Sequence, residues 1–409
     1  MNMPKLASRN LVRNLRRSAV TVIAIAAGYA AISLFGGYIA NVYSGLKDQA
    51  VRGERLGHLT IYKRGMLNEG RLKPLKYLFS PEESARINEV VKAYPGVRLV
   101  TPRLPIAGML SHDSSSTIFI GEGVVPEDVT VLRGDLPGDY GGKLDAGHPV
   151  GIGMSAEMAR LLNIKRGDID TTLVTSTFTG EANAMGAEVV DIFNTGNAGT
   201  NDKTVLVPLA YAQHLMDTEG AERFVVLLDS ADKTDAARTD LTRRLKDAGL
   251  DVEVKTWREL SSFYMQVRNL FDMIFTFIFS IVFTVIVMSV INTMSMTVVE
   301  RTREIGTLRA IRLRRRGVVS LFTLEGSMLA TVGVAVGGII SMLVAWAVNA
   351  AHITYTPPNS SSSVPLLVDL DPSQMATVFA LAVILAAVAA AYPAYGAARR
   401  EIHAALGHV

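Results

Sequence analysis

Cysteine is absent from the 409-residue chain. That removes disulfides, iron–sulfur clusters, cysteine-ligated zinc and cysteine nucleophiles together, and it leaves the compartment open. Charge is also scarce: Asp, Glu, Lys and Arg make up 19% of residues, against about 25% in soluble globular domains. With 49% hydrophobic residues and a mean hydropathy of +0.27, the chain is neither disordered nor wholly soluble. The 15 prolines and 34 glycines are too few for a collagen-like fibre. The seven histidines never pair at metal-ligand spacing, so no metal site is expected.

What the chain has in quantity is uncharged sequence. No charge falls between Arg17 and Lys47, and residues 19–40 are almost continuously apolar; residues 273–299 and 372–398 are uncharged, and 317–351 are broken only by Glu325. Each run exceeds the roughly 20 residues a helix needs to cross a bilayer core, and only helix satisfies its own backbone there. The first run is too long for a signal-peptide h-region of about 7–15 residues, which favours an uncleaved span.

Lys and Arg distribution orients the spans. The start of the chain holds Lys5, Arg9, Arg13, Arg16 and Arg17; the loop between spans two and three holds Arg301, Arg303, Arg309, Arg312, Arg314, Arg315 and Arg316; the end adds Arg399 and Arg400. The loop between spans three and four has Asp369 and Asp371 and no basic residue. Both termini are therefore expected on the cytoplasmic side. Segment 42–269 carries 27 basic and 31 acidic residues, so the pI near 9.0 reflects membrane topology, and no nucleic-acid partner is expected.

The expected fold is a membrane protein with four transmembrane α-helices and a large extracytoplasmic α+β domain between spans one and two. The chain reads as an amphipathic helix over 1–18, spans at 19–41, 270–299, 318–351 and 372–398, a mixed domain over 42–269, a cytoplasmic segment at 300–317, an outer loop at 352–371 and a tail at 399–409. Within the large domain, 59–62, 117–120, 150–152, 205–207 and 224–228 suit short strands, and 155–162, 209–216 and 235–248 have helical spacing. Gly and Asn crowd 194–201 into a loop. A tract at 360–363 is too short to be a linker.

Catalytic motifs fail. The stretch from Gly196 to Thr204 has Asn201 where a phosphate loop needs its second Gly, and Gly153-Met-Ser155-Ala-Glu157 lacks the closing Gly of a nucleophile elbow. No catalytic residue is expected. The sharpest signal is helical in pattern: Glu300, Arg301, Arg303, Glu304 and Arg309 alternate around an apolar side of Ile305, Leu308 and Ile311, ending near Ala310. Topology needs only positive charge, so an ordered Glu/Arg alternation around a ridge suits docking to a partner protein.

Residues 300–325, ERTREIGTLRAIRLRRRGVVSLFTLE, resemble the signature of MacB/FtsX/Lol-type ABC transporter permeases. The basic amphipathic start, the large domain after span one, the stretch VGIGMSAEMARLLNIKRGD at 150–168 and Tyr392-Pro393-Ala394 with Ala405-Leu406 agree with it. Arg312 stands where the family usually has Gly, and Ile402 where it tends to have Pro. The resemblance implies a bacterial inner-membrane, multi-pass permease that works as a dimer, with itself or a paralogue. It implies two copies of a separate ATPase that bind ATP and Mg, the 300–310 segment being the coupling helix. This chain then holds no cofactor and is not the catalyst. ATP-driven closure would move the outer domains through the spans, with lipoprotein or another hydrophobic cargo, membrane lipid, and a periplasmic adaptor or lipoprotein carrier as further partners. Peptide or antibiotic efflux, and a non-transporting signal to cell-wall hydrolases, stay open.

Three features of the spans bear on cargo. Phe271, Phe275, Phe279 and Phe283 form an i+4 ladder on span two, which either packs or lines a cavity for acyl chains. Gly333, Gly337, Ser341 and Ala345 form a small-residue ridge on span three, suited to close helix packing. Glu325 inside span three requires a partner, expected to be an Arg of the coupling segment.

Overall fold

The computed structural model describes residues 15–70, 72–134, 144–145, 147–310, 314–357 and 360–399. The amphipathic helix expected at the chain start lies mostly outside these residues, as do Ile311, Arg312, Ile402 and the Ala405-Leu406 pair. The chain divides into a membrane unit, formed by residues up to Tyr43, Val267–Thr354 and residues from Pro365 onward, and an inserted unit, Ser44–Gln266 with Tyr355–Val364.

Four helices of the membrane unit are long and apolar enough to span a bilayer: span one Leu15–Asp48, span two Ser262–Glu300, span three Arg315–Ala350 and span four Pro372–Arg399. Spans one and two overrun the boundaries read from hydropathy. At 1.5 Å per residue, the 39-residue second helix is about 58 Å long, roughly twice the hydrocarbon thickness. Hydropathy marks where lipid begins; helical hydrogen bonding has no reason to stop there.

The membrane core is built from Ile25, Tyr29 and Ile32 of span one, Phe283, Ile286 and Val290 of span two, Phe322 and Leu329 of span three and the alanines of span four. Two pairs of polar groups meet inside it. The Thr21 and Thr293 hydroxyls meet at 2.6 Å, and the Tyr29 hydroxyl donates to the Met375 carbonyl at 3.0 Å. Without water to compete, each such bond removes a cost of several kcal/mol for an unpaired group in lipid.

The inserted unit holds strands β1 Leu59–Lys63, β2 Val97–His112, β3 Ser115–Val124, β4 Gly151–Ser155, β5 Thr171–Ser176, β6 Ala182–Phe193, β7 Thr204–Pro208, β8 Arg223–Leu228 and β9 Val252–Thr256. Their order is β3-β7-β4-β6-β5-β2-β8-β1-β9, and β3 also pairs with β2. The long β2 therefore serves twice. Its first half pairs with β8, and its second half lies between β3 and β5, closing a six-stranded ring. Helices α1 Pro81–Lys92, α2 Leu209–Met216 and α3 Thr234–Asp247 complete two separate cores. One joins α1 and α3 to β1, β8 and β9 around Phe79, Phe224 and Leu241. The other fills the ring with Leu104, Phe119, Ile152, Leu173 and Val205 under Tyr211 and Leu215 of α2. Helix α1 starts where a capping box tells it to, with Ser80 accepting from the Glu83 N–H, Glu83 reaching back, and Pro81 at N1.

Hydropathy alone understates the sheet. The second β2 half carries Pro105 and Gly108, and β6 opens Ala-Asn-Ala-Met-Gly, so neither shows a clean strand alternation. The 352–371 loop is also more than a connector: its Tyr355–Val364 segment groups with the inserted unit. There the Ser361 N–H donates to the Gly196 carbonyl at 3.3 Å, the Asn194 amide donates to the Ser361 carbonyl at 3.4 Å, and Ser360 bridges to Asn197. The serine tract and the Gly/Asn loop thus hold each other.

Candidate functional site

The second span does not break sharply at Glu300. The Arg301 N–H still donates to the Thr297 carbonyl at 3.1 Å, and the Ile305 N–H to the Arg301 carbonyl at 2.9 Å. The Thr302 hydroxyl bonds back to the Val298 and Val299 carbonyls at 3.0 and 2.9 Å. A short helix, Thr302–Ala310, follows at once.

Arg301 is the hub of this junction. Its Nε donates to Glu304 at 2.7 Å and its Nη1 to Glu325 at 3.1 Å, and its guanidinium carbon lies 5.7 Å from the centre of the Phe322 ring. Phe322 and Glu325 are three residues apart, hence on one face of span three. Glu325 is 2% exposed. A lone carboxylate there would be strongly destabilising, so the pair with Arg301 is what lets it stay. One guanidinium therefore ties the short helix to span three.

The face of that helix differs from the expected apolar ridge. Arg303, Glu304, Thr307 and Ala310 are exposed, with Glu300 exposed one turn earlier, whereas Arg309 is half-buried. Ile305 is 5% exposed and belongs to the membrane core, so it anchors the helix instead of presenting itself to a partner. The Leu308 side chain and Ile311 lie outside the described residues. The exposed face of the short helix is polar apart from Ala310.

The phenylalanine ladder packs inward on span one. Phe275 stacks on Phe35 at 6.3 Å and Phe271 meets Tyr38 edge-on at 6.3 Å; Phe275, Phe279 and Phe283 continue the contact along the ladder at 6.1 and 4.2 Å. Phe283 is buried. The ladder forms an aromatic seam with Phe35 and Tyr38 opposite it, in which Phe271, Phe275 and Phe279 are half-buried. The exposed apolar stripe of span two is a different one, Met273, Phe277, Ile281, Val285 and Met288.

The small-residue ridge also faces span one. A Cβ on Gly333 would lie 2.8 Å from the Ile25 side chain, and one on Gly337 would lie 2.6 Å from the Ala26 carbonyl oxygen. Ser341 is buried with its hydroxyl on the Gly337 carbonyl at 2.8 Å, and Ala345 is 5% exposed. In the inserted unit Ser155 is fully buried and accepts from the Thr204 N–H at 3.2 Å, a structural bond between strands.

Sequence reasoning missed two groups. Phe35 and Tyr38 were legible only as apolar span residues, although their spacing of three matches a ladder. The second is a buried charge cluster, in which Arg223 pairs with Glu122 and, at 2.8 Å, with Glu222. Burial works against it, but Arg223, Arg103 and Arg55 hold the Glu122 carboxyl below its usual range. Burial pushes the fully enclosed Arg103 down to about 10.

The pattern of the MacB-like periplasmic core domain family matches residues 18–244, more than half of the chain, and that of the FtsX-like permease C-terminal family matches 276–402. The chain belongs to the MacB/FtsX-like ABC transporter permeases. The permease is 23% identical over 320 residues to the lipoprotein-releasing system transmembrane protein LolC of Xylella fastidiosa, covering 72% of this chain and 76% of that one. It is 28% identical over 210 residues to the pyoverdine export ATP-binding/permease protein PvdT of Pseudomonas syringae, covering 50% of this chain and 30% of that one. Over 62 residues it is 42% identical to the macrolide export ATP-binding/permease protein MacB of Campylobacter jejuni, spanning only 10% of that protein. Among solved structures, the periplasmic region of MacB from Actinobacillus actinomycetemcomitans aligns with 52% of the permease and 92% of that chain, at 14% identity and a TM-score of 0.35.

Proposed function

We propose that this permease couples a separate cytoplasmic ABC ATPase to movement of its inserted domain, and that it extracts or exports lipoprotein or another hydrophobic cargo from the outer leaflet of a bacterial inner membrane. In this reading it dimerises with itself or a paralogue, and two ATPase copies dock on the exposed faces of the two Thr302–Ala310 helices. Both termini lie in the cytoplasm and the inserted domain lies outside. Arg301 carries the proposal: a push on the docking helix reaches span three through a guanidinium bonded to both Glu304 and Glu325. The likeness to LolC supports lipidic cargo.

The test is purification of the full chain from its native membrane, with identification of any ABC ATPase that remains bound. Arg303→Glu reverses an exposed charge without touching the Arg301–Glu325 pair, and Glu304→Lys places a cation beside Arg301. Juxtaposed like charges cost several kcal/mol at an interface, so both variants should fold in the membrane yet lose the ATPase or its stimulation. Normal ATPase binding and transport in both would end the coupling assignment.

A further inference from the structure

Span three presents a second face. Arg316, Val319, Ser320, Thr323 and Leu324 recur at helical spacing, and Glu325 falls on the opposite side of the same helix. With Arg315 at its mouth and Tyr395 of span four as its far wall, this stripe borders a groove of about 660 Å³. Arg315 and Arg316 are exposed, and neither has a carboxylate partner among the described residues. A third cation reaches the rim, since the Arg399 guanidinium carbon lies 4.5 Å from the centre of the Tyr395 ring.

The groove changes character with depth. Guanidinium groups come first, and beyond them apolar Val319 and Leu324 interleave with the hydroxyls of Ser320, Thr323 and Ser327; Leu324 lies nine residues and so about 13 Å along the axis from Arg315. A glycerophospholipid fits such a lining with its phosphate at the arginines and its esters and acyl chain along the mixed stretch beyond them. Guanidinium forks suit phosphate oxygens, and basic pockets between spans at a membrane surface bind anionic head groups. A soluble subunit would meet the arginines but would not follow the stripe into hydrocarbon, and free phosphate would leave the apolar length unused.

We propose that the groove between the start of span three and the end of span four binds one anionic phospholipid, with its phosphate on Arg315 and Arg316 beside Arg399, and an acyl chain along Val319 and Leu324. The site requires only the four spans. It depends neither on the ATPase docking face nor on the cargo, so it stands or falls apart from the function proposed above.

The experiment uses the full chain in detergent, mixed with phosphatidylglycerol or phosphatidylcholine of identical acyl chains and observed by native mass spectrometry. Each arginine near a membrane surface is worth about fivefold in binding to anionic lipid, so the two together predict about a 25-fold preference for phosphatidylglycerol. Arg315→Gln with Arg316→Gln should reduce it to about threefold or less, and millimolar inorganic phosphate should not displace the lipid. Because the double variant could misfold, a second arm keeps the arginines. The chain has no cysteine, so Ser320→Cys, Ser327→Cys and, as a bilayer-facing control, Val388→Cys each carry one fluorophore. Acyl-nitroxide phosphatidylglycerol should quench positions 320 and 327 more than acyl-nitroxide phosphatidylcholine does, and should quench position 388 equally with either lipid. Equal retention of the two lipids, displacement by phosphate, or equal quenching at all three positions overturns the site. So does a double variant that keeps its lipid preference but loses the ATPase, which would make the groove part of the ATPase footprint.

Discussion

Removing Arg301 takes from the Glu325 carboxylate the guanidinium it meets at 3.1 Å. Breaking one side of a buried pair costs about 3–5 kcal/mol. Arg301→Ala and Glu325→Ala should each lower the melting temperature of the purified permease, and the double variant should lose less than the sum of the two. Additive losses in that double-mutant cycle would mean that the 3.1 Å contact carries no coupling. Glu325→Gln removes the charge and keeps an acceptor, so it should be milder than Glu325→Ala. In the inserted unit, His58 is 7% exposed and its Nδ1 accepts from the Leu228 N–H at 2.9 Å. Burial, aided by Arg52 and Lys47, lowers its pKa to about 4 from the ordinary 6.5. The folded form then binds the proton less readily than the unfolded one. The resulting stability is complete above about pH 6.5 and is lost as pH falls toward 4, up to about 3 kcal/mol. Glu54 and Glu222, held above the usual carboxylate range by burial, act in the opposite sense, so the useful comparison is between variants. His58→Asn, which keeps an acceptor, should flatten the fall between pH 6.5 and 4.5 in unfolding followed through the buried Trp257. An unchanged slope would remove His58 from the account.

At the scale of elements, the proposed cargo handling turns on the seam between spans one and two. The rings of Phe275 and Phe279 lie against Phe35 and the core, and under the proposed function an acyl chain enters as the seam parts. A carboxylate at position 279 would meet hydrocarbon in either state, at about 2.5–3.5 kcal/mol near a helix centre. Under the proposed function, Phe279→Asp should therefore reduce cargo release per folded molecule, while the ATPase proposed to dock on the exposed Thr302–Ala310 face stays bound. Phe279→Leu should keep most activity, since apolar volume is retained. Unchanged specific activity in Phe279→Asp, with photocrosslinks from position 279 reaching lipid alone, would leave the seam a packing element only. The glycine ridge has the opposite character. Its value lies in absent side chains, which let span three approach the backbone of span one.

For the whole molecule, the charge asymmetry makes a directional prediction. Single cysteines at Thr307, on the exposed short helix, and at Asp170, in the inserted unit, should label oppositely with a membrane-impermeant maleimide. Intact spheroplasts should modify position 170 and spare position 307 until the membrane is opened. The reverse pattern would invert the permease and place its docking helix away from cytoplasmic ATP. The chain has no native cysteine, so the signal needs no background correction.

Local chemistry explains what was legible beforehand. Four uncharged runs are properties of consecutive residues, and so are the arginine bias and the helical pattern of 300–310; the spans and the short helix at Thr302–Ala310 were visible without coordinates. The short strands around 59–62, 205–207 and 224–228 were visible for the same reason, since each is an apolar run. Partner choice is not local. Glu325 demanded a cation by burial alone, but only the packing of span three against the end of span two selects Arg301. Ile305 looked like docking surface because periodicity reports that a face is apolar and not what covers it; the core of the membrane unit covers it. The contact of the phenylalanine ladder with Phe35 and Tyr38 could not be read from span two alone. The long β2 escaped notice because its two halves answer to different neighbours, one in each core, and no single alternation pattern serves both. Hydropathy is additive along the chain and can be read there. Crossing geometry and register couple distant residues, and the tertiary structure alone decides them.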